Sequence, residues 1–413
     1  MGFVVRMFPL LSETFVANDI LALERLGVRA RIFSYRAASS PAPHAYLSQL
    51  QSPVTYLPDP LNRHVGPLVR AGAATYRREP ARYRRAFRYV LRHTLAERNL
   101  DTWRRFLQAA YLADLLASTD IEHLHAHFAR GATRITMLTS MLSGLPYSFT
   151  AHARDVYVTD HKLLREKIAG AEFVIACAGT NQRYLQHLVG PEQQGKIKLA
   201  YHGVDLDTFR AGEAITNAGP ATVLAVGRLV RKKGLRYLVE AIAALQSRGF
   251  DLRCVIVGEG PERAPLERLI ETLGLRDVVR LAGARSREEL IEIYQQATVF
   301  ALPCTVLEDG DRDGVPNVLL EAMAVGLPVV SCAVAGVPEL VESGDNGLLV
   351  AERNTIELAA AIELLLNDRG LRSRLGAQGR RTVAARFDSV TTGEAVLELL
   401  VAAHAAQAGR PGG

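Results

Sequence analysis

Residues 221–303 alternate short apolar runs with amphipathic stretches. The runs are ATVLAVG (221–227), LRCVIVG (252–258), VVRLAG (278–283) and TVFALP (298–303), and between them lie GLRYLVEAIAALQSRG, PERAPLERLIETLG and SREELIEIYQQA. The series goes on through NVLLEAMAVG, PVVS, GVPELVES, NGLLV and IELAAAIELLLND. Runs that are apolar throughout have no face to give to water, so they belong in a parallel sheet covered by helices on both sides. That pattern predicts a doubly wound α/β domain. The first half repeats it less regularly, with FVVRMF, VRARIFSY, IEHLHAHF, YSFTAH and EFVIACA as strands and NDILALERLG, ATRITMLTSMLSG and GTNQRYLQHLV as helices.

A chain of 413 residues is too long for one ordinary core. The polar stretch DLDTFRAGEAITNAGPA (205–221) is the expected linker. We therefore expect a Rossmann-like N-terminal domain over 1–205, a second Rossmann-like domain over 206–388, and a C-terminal helix with a frayed tail over 389–413. Two such domains would face a cleft, with ligands at the strand C-termini.

The most apolar window, LLEAMAVGLPVVSCAVAGVP, is broken by Glu321 and two prolines, so it does not read as a membrane span. The N-terminus has no signal-peptide pattern, and Arg6 stands where a myristoylation motif needs Ser or Thr. Cys177, Cys254, Cys304 and Cys332 form no C-x-x-C pair and are read as reduced packing residues. These features predict a cytoplasmic protein. Charge is uneven: residues 1–205 hold 26 Lys and Arg against 16 Asp and Glu, and the remainder holds 23 against 27. Only the first half should favour an anionic surface.

Two segments carry the chemistry. In GRLVRKKG (227–234) a strand ends at Gly227 and is followed by Arg228, Arg231, Lys232 and Lys233. Such a turn gathers positive charge at a sheet edge, where a diphosphate can sit. Arg231 and Lys232 are read as solvating the turn, and Arg228 and Lys233 as the phosphate-facing pair. In DGVPNVLLEAMAVGLPVVS (313–331), Gly314, Val315, Pro316 and Asn317 lead into a helix whose start and dipole suit phosphate oxygens. Asp313 lies just outside that helix and Glu321 two turns inside it. Both carboxylates can accept from sugar or ribose hydroxyls, and Asp313 alternatively caps the helix.

Both segments resemble the donor-site signatures of retaining glycosyltransferases of the GT-B fold, the family 4, group 1 enzymes. SETFVANDILALERLG, HAHFA (125–129), SFTAHARDVY (148–157), YHGVDLDTF (201–209) and VGEGPE (257–262) are similar to family segments in the same order. The combination with FPLLSETF and DGDRDGVP is most similar to the colanic-acid and amylovoran type of exopolysaccharide transferase. The resemblance implies two Rossmann-like domains with the C-terminal helix returning to the first. It implies transfer of a sugar from a nucleotide diphosphate sugar, with retention, to a saccharide or polyprenyl-diphosphate-linked acceptor, and no metal or other cofactor.

By position, Arg228 and Lys233 would hold the diphosphate, Glu321 the ribose and Asp313 the donor sugar, with His152 beside that sugar. Gly227, Gly314, Val315, Pro316 and Asn317 would line the donor, and Ser12, Glu13 and His127 an acceptor side. Asp313 replaces the family's usual Glu, which leaves donor choice open. Pro316 removes an N–H that Gly offers in many relatives. The FPLLSE loop lacks the glycine pair of some relatives.

Other signals stay open. The loop EDGDRDG is either a cation site or a solvated or acceptor-reading loop. His123, His125 and His127 share a strand face, as zinc ligands or as structural residues. Residues 70–105 hold eleven arginines against Glu79, Glu97 and Asp101. There, Phe87, Val90, Leu91, Thr94 and Leu95 form an apolar stripe opposite Arg84, Arg85, Arg88 and Arg92. The helix is either an ordinary surface helix or one that docks on anionic lipid; no nucleic-acid motif accompanies it. Rival functions on this architecture are a nucleotide-sugar epimerase or hydrolase, and a silent nucleotide-sugar-binding subunit.

Overall fold

The computed structural model describes residues 1–10, 13–37, 48–98, 100–212 and 219–408. The chain divides into two compact units. One comprises Met1–Cys177, Asn181–Ala200 and Gly393–Gly413, and the other Ala178–Thr180 and Tyr201–Thr392. Each is built around one parallel sheet.

In the first unit the strands are β1 (Gly2–Met7), β2 (Arg31–Arg36), β3 (Val54–Tyr56), β4 (Leu124–His127), β5 (Tyr147–Ala151), β6 (Val174–Ala176) and β7 (Ile197–Leu199). They lie in the order β3-β2-β1-β4-β5-β6-β7, and every pair is parallel. β3 and β7 were not apparent in the sequence; each is a three-residue edge strand, too short to show a pattern. The second unit holds β8 (Ala221–Val226), β9 (Leu252–Val257), β10 (Val279–Gly283), β11 (Val299–Leu302), β12 (Val329–Cys332) and β13 (Leu348–Val350). Their order is β10-β9-β8-β11-β12-β13, again all parallel. Two Rossmann-like sheets with helical cover are the α/β architecture expected of a GT-B chain.

Apolar residues on both faces explain each sheet. Val223, Leu224, Ala225, Phe300, Ala301, Val329 and Val330 are fully buried, and the helix Leu235–Ser247 covers them with Leu238, Val239, Ile242 and Leu245. The last helix of the described residues is Ser389–Ala408. From Gly393 onward it belongs to the first unit, where Val396, Leu397 and Leu400 pack against Phe3, Val5 and Ile20. Gly393 allows a close approach there, since a Cβ would lie 3.0 Å from that of Ala22. All four cysteines are free and buried. No helix among the described residues is long and apolar enough to cross a membrane.

The helix Pro80–Glu97 departs from the expected single stripe. Ala86, Val90 and His93 are the buried face, whereas Phe87, Leu91 and Leu95 stand exposed among Arg84, Arg88 and Arg92. The sequence reading failed because an i, i+4, i+8 row of large side chains and the inward row beside it look alike without a partner to define the inside.

A row of histidines runs from half-buried His123, just before β4, to buried His125 and His127 within it. His123 Nε2 and His125 Nδ1 lie 2.7 and 2.8 Å from Ser148 Oγ, and His125 Nε2 lies 2.9 Å from Thr150 Oγ1. Both nitrogens of His125 are thus engaged by hydroxyls, a structural role. Burial pushes His123 down from 6.5 to about 4, and His125 well below its ordinary value. The unfolded chain binds more protons in that window, so stability should be intact above the unfolded value and fall as pH drops through it towards 4. His123 alone accounts for about 3 kcal/mol at about 1.4 kcal/mol per unit. Urea midpoints should fall between about pH 7.5 and pH 5, and a His123→Gln variant should show a shallower fall.

Candidate functional site

In doubly wound sheets, ligands bind outside strand C-termini where the strand order reverses. In the second unit that point lies between β8 and β11. β8 runs into Gly227 (φ +153°) and the Lys233 side chain folds back over it, so that a Cβ there would sit 3.4 Å from Lys233 Cε. The tight turn Arg231–Lys233 is closed by Gly234 at φ +64°. A Cβ at Gly234 would strike the Pro303 carbonyl oxygen, so only glycine lets the turn press against the end of β11. Thr305 N–H then donates to the Lys232 carbonyl at 2.8 Å.

This contact brings the cation-rich turn onto the acid-rich loop after β11. Lys233 Nζ lies 2.7 Å from Asp313 Oδ2. Lys232 Nζ lies 2.9 Å from Asp311 Oδ1, 3.2 Å from Asp313 Oδ1 and 3.1 Å from the Arg312 carbonyl oxygen. Two expectations are corrected here. Lys232 does not solvate the turn; it is 9% exposed. The loop is not solvated throughout, since Glu308 and Asp309 are exposed but Asp311 is buried and Asp313 nearly so. Two carboxylates out of water need counter-charge, and the neighbouring lysines supply it.

Electrostatics follow from that packing. Burial alone would raise the Asp313 carboxyl, but the ammonium groups of Lys233 and Lys232 outweigh it and hold the group at about 2. Burial likewise opposes the Lys233 charge, yet Asp313 outweighs it and the ammonium sits above its ordinary range, with Arg228 pulling the other way. Arg228 is exposed and has no hydrogen-bond or ion-pair partner among the described residues. The site therefore presents one open guanidinium beside a permanently charged lysine.

Gly314 and Val315 follow Asp313 at the surface of this cluster. Gly336 supports them from behind, where a Cβ would lie 2.7 Å from the Gly314 carbonyl carbon. The helix spans Asn317–Ala324 with Pro316 at the N-cap, one residue before the first turn, and no side chain caps it. Asp313 is accordingly not a helix cap. Asn317 Oδ1 is buried without a partner. One face of the helix buries Leu319, Leu320, Ala322 and Met323, while Glu321 keeps partial exposure. The Tyr294 hydroxyl donates to Glu321 Oε2 at 2.8 Å. Burial pushes Glu321 up to about 7, against that hydrogen bond and the charges of Arg287 and Lys233.

The remaining candidates lie in the first unit, whose strand order reverses between β1 and β4. His127 ends β4 and is buried; His152 follows β5. The His152 ring is 4.3 Å from that of Phe128, 5.0 Å from Phe15 and 6.1 Å from His127, between centroids, and its Nδ1 is 3.9 Å from Cys177 Sγ. The turn after β4 is braced from below: Ala129 N–H donates to Asp155 Oδ2 at 2.9 Å, and Lys167 Nζ donates to the Ala129 carbonyl at 2.7 Å. Glu13 precedes the helix Thr14–Arg25, and Ser12 lies outside the described residues. Sequence reasoning thus found Arg228, Lys233, Asp313 and Glu321 together, but missed Lys232, Asp311, Tyr294 and Gly336. An acid-rich loop and a lysine-rich turn at adjacent strand ends were the available signal for the first two.

Residues 210–382 match the family described as glycosyl transferases group 1. The chain is 30% identical over 372 residues to WcaL of Salmonella typhimurium, named for colanic acid biosynthesis, covering 87% of this chain and 89% of that protein. It is 37% identical over 167 residues to the amylovoran biosynthesis glycosyltransferase AmsK of Erwinia amylovora, covering 40% and 41%. Among solved structures, HepE of Anabaena in complex with UDP and glucose superposes with a TM-score of 0.74 at 18% identity, over 97% of this chain and 99% of that one.

Proposed function

The chain belongs to the group 1 glycosyl transferases, and from that premise we propose that it moves a sugar, with retention, from a nucleotide diphosphate sugar onto a saccharide acceptor in exopolysaccharide synthesis. The acceptor is carried on a polyprenyl diphosphate. The protein works at the inner face of the cell membrane, with the basic 70–105 region towards anionic lipid. The observation that carries the donor assignment is the Lys233–Asp313 contact beside Gly314, with open Arg228 and part-exposed Glu321 around it.

As the bond to the sugar breaks, negative charge grows on the departing diphosphate. Arg228, Lys233 and the N–H groups of Gly314, Val315 and Asn317 meet that charge without rearrangement. Asp313, kept ionised by two lysines, accepts from the donor sugar's hydroxyls, and Glu321 accepts from the ribose. Asp313 is engaged by both lysines and is assigned to the sugar's hydroxyls, so we assign no nucleophile among the described residues and favour same-face attack assisted by the leaving phosphate. The donor's charge is met by side chains, so no metal is assigned a part; turnover should survive chelation by EDTA.

A thermal-shift panel of nucleotide sugars tests the reading, followed by incubation of the stabilising donor with lipid-linked saccharides. One donor should raise the melting point, and product should form only when acceptor is present. Consumption of donor with no acceptor would sink the assignment.

Glu321 adds a pH signature. A nucleotide diphosphate sugar keeps both charges from mild acid upward, so changes in its affinity report the protein. Glu321 becomes the stronger acceptor as it ionises near 7. Donor affinity should rise about tenfold between about pH 6 and pH 8, the scale of a hydrogen bond to a charged group. A Glu321→Gln variant should bind weakly and without that rise, as titration calorimetry would show.

A further inference from the structure

The first unit carries a surface pocket of about 570 Å3, largely open to solvent, to which the transfer reaction assigns no part. Its floor includes Tyr147, the first residue of β5, so it lies at the opposite end of that strand from His152. The helix Pro80–Glu97 gives one wall, through Arg82, Arg85 and Tyr89 at i, i+3 and i+7. The helix Gly131–Ser143 gives another, through Met137, Ser140 and Met141.

Most of the polar groups lining it are already engaged. Glu166 Oε2 accepts from the Tyr89 hydroxyl at 2.9 Å and faces His93 Nε2 at 3.2 Å. Arg82 Nη1 donates to the Ser143 carbonyl at 2.6 Å. It lies across Gly144, where any Cβ would strike the guanidinium. Arg85 is different: it is exposed, and no described residue pairs or hydrogen-bonds with it. An open guanidinium above a floor of two methionines and a tyrosine calls for an anion with an apolar body.

The same helix indicates where such an anion comes from. Between residues 80 and 96 it has no acidic side chain. Its outward face sets Leu91 and Leu95, 43% and 71% exposed, among Arg84, Arg88 and Arg92, whereas Phe87 is partly covered by the rings of Trp103 and Phe106. Large apolar side chains left in water between arginines are the pattern of a helix lying in a membrane interface, with guanidiniums reaching to headgroups.

We propose that the cavity between the helices Pro80–Glu97, Gly131–Ser143 and His161–Gly170 seats the phosphate headgroup of an anionic phospholipid. Arg85 meets the phosphodiester, and Met137 and Met141 carry the glycerol and first methylenes. The inference rests on the membrane reading above for its source of lipid, but it adds a discrete headgroup seat to a diffuse basic surface.

The test separates the two. The full chain is titrated with monomeric dihexanoyl phosphatidylglycerol below its micellar concentration, then with the phosphatidylcholine analogue and with glycerol 3-phosphate. Flotation with phosphatidylglycerol vesicles is measured in parallel. The anionic short-chain lipid should bind, and the other two at least about tenfold more weakly, one missing the net charge and the other the apolar body. Arg85→Glu should weaken lipid binding by a similar factor, and so should Ser140→Phe, which sets a ring beside Met137 and Met141 where the acyl stem would lie. Neither change should alter the thermal shift given by the nucleotide sugar. Leu91→Ser with Leu95→Ser should lose flotation yet keep binding of monomeric lipid. Failure of the parent to bind monomeric lipid, unchanged binding in both cavity variants, or equal affinity for glycerol 3-phosphate would each overturn the headgroup seat. Loss of flotation alone would overturn only the membrane reading.

Discussion

Lys233→Ala should lower turnover by about three orders of magnitude, the upper range for removing one preorganised partner of a developing anion. The ammonium is nearly buried, held charged by Asp313 and next to the Gly314 turn, so no water replaces it at the same point in the same field. Its contribution grows as the diphosphate departs, so kcat and kcat/KM should fall together rather than KM rising alone. Protection by the nucleotide sugar in a melting assay should also be lost. The fold should persist, because Asp313 retains Lys232 at 3.2 Å. Circular dichroism of the variant, set beside its steady-state kinetics, checks both halves. A variant that keeps a tenth of parental turnover would remove the diphosphate from this site.

The second large effect is on stability. Lys232→Met should destabilise the second unit by about 3–5 kcal/mol, the usual cost of removing one partner from a buried charge pair. Asp311 and the Arg312 carbonyl would be left facing an apolar side chain, and Asp313 would lose one of its two cations. Asp313 makes the effect pH-dependent. Its carboxyl is depressed in the folded state to about 2 from 3.8, so it stabilises the fold above the unfolded value and stops doing so as pH falls through the folded one. The deficit of the variant should therefore be greatest at neutral pH and shrink in acid. Adding Asp311→Leu should restore part of the loss, because the carboxylate that faced the Lys232 ammonium goes with it. Urea unfolding of the single and double variants at two pH values reads all of this.

These two lysines also show how far the sequence could be read. The alternation from ATVLAVG onward was enough for two parallel sheets, because strands buried on both faces have no polar period to confuse them. Gly227, Arg228 and Lys233 were legible because a strand end followed by cations has few other meanings. Lys232 was not, since neighbouring lysines look identical until Gly234 sets the pitch of the turn and sends one inward. Tyr294 was hidden for a related reason: in SREELIEIYQQA it reads as one more apolar residue, and only folding puts its hydroxyl on Glu321. The Pro80–Glu97 helix was misread in orientation rather than in kind. Long-range packing decides which row of a helix faces inward, and local pattern cannot supply that.

The last helix has a consequence for how the protein is made. Phe3, Val5 and Ile20 are translated long before their apolar cover at Val396, Leu397 and Leu400. A nascent chain must carry that bare strip through synthesis of everything between the two segments, and any fragment ending near residue 200 keeps it for good. Expressing the amino-terminal portion in isolation should yield sticky material, whereas supplying 393–408 as a fused segment should render it dispersible.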